Sequence, residues 1–183
     1  RGPLTITVQV LGALPLNSAL LRDGARVGDA LYVSGTLGDA AGALAFLRGE
    51  WQPEADAAEY LLNRFNRPRA RIDLGRELLG QASAAIDISD GLLADAGHIA
   101  DASGVRLVIE PSLLPLSPAL SSHRSHEQVI RWALAGGDDY ELCFTLPEDE
   151  IAPQGCTRIG HVEAGEGVDC GLAIDIPGGY QHF

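Results

Sequence analysis

The chain has 183 residues, enough for one domain with a real core. Its 46% hydrophobic and 21% charged content fits a globular fold, and no apolar run approaches the roughly 18 residues that a membrane span needs. A formal net charge of -12 opposes nucleic acid and anionic membranes, so neither is expected as a partner, and it would repel a nucleotide too unless cations intervene. An acidic chain that handles phosphates therefore needs divalent metal, with carboxylates clustered where the metal sits.

The run Thr5-Ile6-Thr7-Val8-Gln9-Val10 alternates polar and apolar residues, the period of a half-buried strand. The preceding Arg1-Gly2-Pro3-Leu4 has no signal-peptide pattern and no initiator Met, which reads as a cut within a longer polypeptide. Gly24 and Val27-Gly28-Asp29 are expected turns, and Ala30 to Ser34 a strand. Gly35-Thr36-Leu37-Gly38-Asp39 leads into an alanine-rich helix through about Leu47. It resembles a glycine-rich phosphate loop but lacks the GKS or GKT of a Walker loop, and Asp39 reads as a plain helix cap. Pro53 should open a second helix, to about Phe65, with Leu61, Leu62 and Phe65 on one face. Asn66-Arg67-Pro68-Arg69 ends it, and another helix follows from Ile72 to about Leu79. Arg22, Arg67, Arg69 and Arg71 are the available phosphate clamps; the last three also read as a solvated basic patch.

Ala84-Ala85-Ile86 is a short expected strand, and a helix runs from Leu92 to about Ala102 with Leu92, Ala96 and Ile99 inward. Between them lies Asp87-Ile88-Ser89-Asp90-Gly91. Two carboxylates three residues apart at a strand-to-helix junction suit Mg²⁺, which takes one or two carboxylates and leaves its other positions to water and phosphate. Ser89 can donate to a phosphate oxygen, Gly91 lets the backbone approach closely, and the helix start adds a positive end. The plainer reading is that Ser89 or Asp90 caps the helix. Capping does not explain Asp87, an acid among apolar neighbours, which is costly unless a cation or donors meet it.

Val105 to Ile109 is a strand, Pro111 to Ser125 mostly loop, and Glu127 to Leu134 a helix. Gly136-Gly137-Asp138-Asp139 is a turn into a strand from Tyr140 to Thr145. Strands near Cys156 to Val162 and Leu172 to Ile176 complete the pattern. Helices and strands mix without strict alternation, so the expected fold is α/β (α+β), a mixed β-sheet with helices packed on it. Cys143, Cys156 and Cys170 are odd in number and show no CxxC spacing; they read as small core residues in a reducing cytoplasm. His98 reads as a surface or packing residue.

Ile86-Asp87-Ile88-Ser89-Asp90-Gly91-Leu92, followed by Asp95 and His98, resembles the metal-binding signature of the thiamine-monophosphate kinases. Gly136-Gly137-Asp138-Asp139-Tyr140-Glu141-Leu142-Cys143-Phe144 resembles their second signature. The Gly35–Asp39 loop, the Arg67-Pro68-Arg69 region and the ending Tyr180-Gln181-His182-Phe183 also fit, so the likeness covers nearly the whole chain. That family is similar to aminoimidazole ribonucleotide synthetase, selenophosphate synthetase and a hydrogenase maturation factor, each with an amino-terminal α/β domain that dimerises and a carboxy-terminal α/β domain.

The resemblance implies ATP-dependent phosphorylation of thiamine monophosphate to thiamine diphosphate in a cytoplasmic homodimer. It implies Mg²⁺ on Asp87 and Asp90, ATP contacts from Ser89 and Arg22, and a substrate contact from Asp138, where the family often has Glu. Pro177 stands where the family often places an aromatic substrate-binding residue. The family's glycine-aspartate-aspartate loop and further metal-binding acids would lie upstream of Arg1. Residues 1–16 would then be the last strand of a truncated amino-terminal domain, and 17–183 the carboxy-terminal nucleotide- and metal-binding domain. The alternatives are another member of the superfamily, such as the ribonucleotide synthetase, or a non-catalytic binding module.

Overall fold

A computed structural model describes residues 4–16, 18–122 and 125–172. Strand β1 (Ala30–Ser34) is followed by helices α1 (Asp39–Leu47), α2 (Ala55–Asn66) and α3 (Ile72–Glu77). Strand β2 (Ala84–Ile88), helix α4 (Leu92–Ser103) and strand β3 (Arg106–Ile109) come next. Two 3₁₀ turns, Pro111–Leu113 and Leu120–Ser122, lead to α5 (His126–Ala135), and β4 (Glu141–Leu146), β5 (Cys156–Glu163) and β6 (Gly167–Asp169) complete the described elements.

Among the described residues the strands form one sheet in the order β2-β4-β1-β5-β3-β6. All neighbours are antiparallel except β3 and β6, so the expected mixed sheet is borne out. The inner strand β1 is buried on both faces, which its continuous Ala30-Leu31-Tyr32-Val33 run allows. On one face Leu31, Val33, Ile86 and Ile88 meet Leu92, Ala96 and Ile99 of α4 and Ile130 and Leu134 of α5. These α4 positions recur at helical spacing, which is why one stripe of the helix reaches the sheet. On the other face Phe144 stacks on its register partner Tyr32 with ring centroids 5.6 Å apart, under Leu78 and Leu74. A third cluster joins α1, α2 and α5 around Leu61, with Trp51 and Trp132 in contact at 5.5 Å.

Four expectations need correcting. Thr5 to Val10 forms no strand and is exposed along its length, because no neighbouring strand offers it a ladder among the described residues. Pro53 precedes α2 instead of opening it; Glu54 is the N-cap. Strand β2 runs on to Ile88, so Asp87 belongs to the strand and not to the loop after it. Of the three cysteines only Cys143 is buried, its thiol pushed up to about 12 by loss of solvent. Strand β6 was not expected, while the strand near Leu172 to Ile176 falls beyond Leu172 outside the described residues. Among the described residues no helix is long and apolar enough to cross a membrane.

Candidate functional site

Strand β2 lies at the edge of the sheet, paired with β4 so that Asp87 stands opposite Leu142. Asp87 is exposed, and the strand ends one residue later in the turn Ser89-Asp90-Gly91. That turn is held from within α4. Asp95, only 3% exposed, accepts the backbone N–H groups of Ser89 (2.9 Å), Asp90 (3.0 Å) and Gly91 (3.2 Å) on one carboxylate oxygen. Burial pushes the Asp95 carboxyl above its usual range, against the pull of those three donors.

This arrangement changes the reading of the turn. Gly91 is the N-cap at φ 117°, and a Cβ there would sit 2.8 Å from the Ala135 carbonyl oxygen. Its glycine serves backbone conformation and helix packing, not ligand approach. The N–H groups that Asp95 takes belong to the turn just before the helix, not to its first residues. Neither Ser89 nor Asp90 caps α4, and the side chains of Asp87, Ser89 and Asp90 have no hydrogen-bond partner among the described residues.

The second glycine-and-acid loop docks on the first. Asp138 donates its N–H to the Ser89 carbonyl and Tyr140 to the Ile88 carbonyl, both at 2.9 Å. A Cβ at Gly137 would lie 2.5 Å from the Ser89 carbonyl oxygen, so only glycine permits this approach. Two residues beyond it carry positive φ, Asp138 at 67° and Tyr140 at 51°. The Tyr140 hydroxyl donates to Asp138 Oδ1 at 3.2 Å. Partial burial pushes the Tyr140 phenol up, and the negative charges of Asp138, Asp87 and Asp90 add to the shift.

Arg22 reaches the same edge. Leu21 accepts the Ala85 N–H at 2.8 Å, and the Arg22 carbonyl accepts the Ser103 hydroxyl at 2.9 Å. Arg22 and Asp87 line one open groove of about 630 Å³ with Leu20 and Ile86. On its other side Asp87 lines a second groove of about 380 Å³ with Tyr140, Arg71 and Ile72. The structure thus gathers Arg22, Asp87, Ser89, Asp90 and Asp138 at one edge of the sheet. Pro177 and the Tyr180–Phe183 ending lie outside the described residues. His98 is exposed on α4, as expected.

A buried ionic network beneath this edge was not anticipated. Glu141 is fully buried and accepts Ser34 Oγ at 2.5 Å, Arg64 Nη2 at 2.9 Å and Arg71 Nε at 2.6 Å, with Arg71 Nη2 completing a forked pair. Asp39 is not a cap. Its buried carboxylate accepts Thr36 Oγ1 (2.6 Å) and Ser117 Oγ (2.5 Å), and lies 3.5 Å from Arg64 Nε. The cap of α1 is supplied from the distant Asp139, which accepts the N–H groups of Gly38 at 2.7 Å and Ala40 at 3.3 Å. Desolvation, partly offset by those donors and reinforced by Asp39, pushes the Asp139 carboxyl up to about 7. The basic patch therefore divides: Arg67 and Arg69 are exposed, while Arg71 turns inward to Glu141. A signal for this existed in the acid-rich Asp138-Asp139-Tyr140-Glu141 run, but nothing local says which acids face inward.

Among the described residues no group of three or more Asp, Glu, His or Cys side chains converges to cage a metal. Asp87 and Asp90 offer two carboxylates without internal partners, which fits the small protein share of an Mg²⁺ shell.

The family described as AIR synthase related protein, C-terminal domain, matches residues 26–172. This chain belongs to that family. Thiamine-monophosphate kinase of Escherichia coli K12 is 51% identical over 149 residues, covering 81% of this chain and 46% of that protein. The crystal structure of thiamine-monophosphate kinase from Stenotrophomonas maltophilia K279a aligns with TM-score 0.81 and 41% identity, over 86% of this chain and 54% of that one. AaThiL complexed with AMPPCP and TMP aligns with TM-score 0.80 and 42% identity, over 90% of this chain and 54% of that one. The resemblance to thiamine-monophosphate kinases is borne out. The chain spans about half the length of the curated relatives it matches first.

Proposed function

We propose that this chain is the carboxy-terminal part of a thiamine-monophosphate kinase that transfers the γ-phosphoryl group of ATP to the phosphate of thiamine monophosphate. The observation that carries this reading is the docking of the two signature loops, which sets Asp87, Asp90 and Asp138 around one edge in a chain so similar to these kinases. A relative solved with AMPPCP and TMP supports the pairing of ATP with this acceptor.

In the reaction an acceptor phosphate oxygen forms a bond to the γ-phosphorus, the bond to the β–γ bridging oxygen breaks, and ADP leaves with that electron pair. The acceptor phosphate is already an anion near neutral pH, so no strong base is required, and positioning and charge neutralisation do the work. Mg²⁺ held by Asp87 and Asp90 would supply the positive charge between the two phosphate groups. Arg22, which lines the same groove as Asp87, would add a guanidinium to ATP oxygens, and the Ser89 hydroxyl would donate to one. Asp138 would contact the thiamine moiety, and Pro177 would lie beside it without an aromatic face. In the full-length protein residues 1–16, which show no strand among those described, would pair as the last strand of a preceding domain, and that domain would supply further metal-binding acids in a cytoplasmic homodimer.

The test is an assay of the full-length enzyme with ATP, Mg²⁺ and thiamine monophosphate, read as thiamine diphosphate formation. Turnover supports the reading. Absence of that product, with turnover of a formylglycinamidine ribonucleotide instead, would assign the chain to the synthetase branch.

A further inference from the structure

The 380 Å³ groove beside Asp87 contains a feature that metal binding leaves unexplained. Tyr140 is an aromatic residue held at φ 51°, in the left-handed region that bulky side chains rarely adopt. Its conformation is fixed by the Tyr140 N–H bond to Ile88 and the Asp138 N–H bond to Ser89, so it follows the docking of the two loops. The result is an aromatic ring 39% exposed on a groove wall, not one folded into the core. Its hydroxyl is turned onto Asp138 at 3.2 Å, which pins the ring in place. Asp87 lines the same groove. Leu20, Ile72 and Leu142 add apolar surface to the lining, and Arg71, its charge met by buried Glu141, lines the groove too.

An exposed aromatic face with the Asp138 carboxylate on its hydroxyl, in a groove with apolar side chains, points to one ligand chemistry. It suits a flat, cationic heteroaromatic ring, which gains from the ring quadrupole and from the surrounding negative charge. We infer that Tyr140 is a binding and specificity-determining residue whose ring packs on the cationic thiazolium of the acceptor, with Asp138 completing the charge match. This rests on the reading of the acceptor as thiamine monophosphate. Asp87 lines the same groove, so the acceptor's phosphate would extend toward it while its ring rests on Tyr140.

The experiment is steady-state kinetics of the full-length enzyme with Tyr140→Leu, Tyr140→Ala and Tyr140→Phe. Tyr140→Leu keeps bulk but loses the π face, and should raise KM for thiamine monophosphate by about tenfold with KM for ATP little changed. Tyr140→Phe restores the ring and should raise it clearly less than Tyr140→Leu. The wild type should also prefer the thiazolium acceptor over an analogue whose sulfur heterocycle is uncharged, and Tyr140→Leu should lose most of that preference. An unchanged acceptor KM in Tyr140→Leu overturns the inference, as does an equal rise in KM for both substrates. If Tyr140→Ala fails to fold, the Leu and Phe variants decide. A wild-type enzyme without turnover of thiamine monophosphate would sink the functional reading instead, which keeps the two failures distinct.

Discussion

The carboxylate of Asp139 accepts the backbone N–H of Gly38 at 2.7 Å, across a sequence separation of 101 residues. The acid that caps helix α1 therefore belongs to the loop that also carries Asp138 and Tyr140. Since that loop docks on the Ser89 turn, one residue ties the glycine-rich β1–α1 connection to the edge that carries Asp87 and Asp90.

This cap makes stability depend on pH. The Asp139 carboxyl titrates near 7 in the fold against an ordinary 3.8, so the folded state holds its proton where the unfolded chain has lost it. Its stabilising contribution is full below the unfolded value and declines as pH rises toward 7. Asp95 shifts in the same direction. Urea unfolding of Asp139→Asn should show a flatter pH dependence than wild type between about 4 and 7. The variant should gain relative stability at the alkaline end. Parallel curves for the two proteins would contradict the assignment.

Glu141 is expected to be the costliest single position in the network. Removing its carboxylate leaves Arg64 and Arg71 without their shared partner at a fully buried site. Glu141→Ala should lose about 3–5 kcal/mol in equilibrium unfolding. Exposed Arg131→Ala, which loses only a surface pair with Glu127, should cost under about 1 kcal/mol.

Gly91→Ala should destabilise although the side chain added is small. The position requires φ 117° and has the Ala135 carbonyl oxygen 2.8 Å from any Cβ. A loss of about 1–3 kcal/mol in melting or urea unfolding is expected from the strain. Gly97→Ala within α4, where nothing lies within 4 Å, should stabilise by about 1 kcal/mol.

Asp95→Ala should act on the turn that it holds. Three backbone donors lose their acceptor, and the relative placement of Asp87 and Asp90 loosens. In the full-length enzyme the Mg²⁺ concentration for half-maximal rate should rise by about tenfold or more. A shift in stability alone, with an unchanged Mg²⁺ response, would mean that Asp95 serves only the fold.

Much of this site can be read from the chain because its signals are local. Asp87, Ser89 and Asp90 stand out as polar residues where a buried strand becomes a helix, and Gly136-Gly137-Asp138-Asp139 reads as a turn, though not as one that docks on Ser89. The helices packed on a mixed sheet follow from apolar spacing. What stays hidden is long-range pairing. Nothing near Arg64 or Arg71 indicates that both end on Glu141, and nothing near Gly38 indicates that Asp139 caps it. Asp39 reads as a cap because capping is the common local use of an acid before a helix; tertiary partners override it. Thr5 to Val10 shows the converse, a strand pattern with no partner strand among the described residues.

On the proposed function, the free carboxylates at the edge of β2 bind the metal that the phosphoryl transfer needs. Asp87→Asn removes one charge with little change in shape. Measured in the full-length enzyme as thiamine diphosphate formation against Mg²⁺ concentration, it should raise the half-saturating Mg²⁺ by about tenfold or more and depress the rate at limiting metal. A normal rate at limiting Mg²⁺ would mean that Asp87 does not hold the metal.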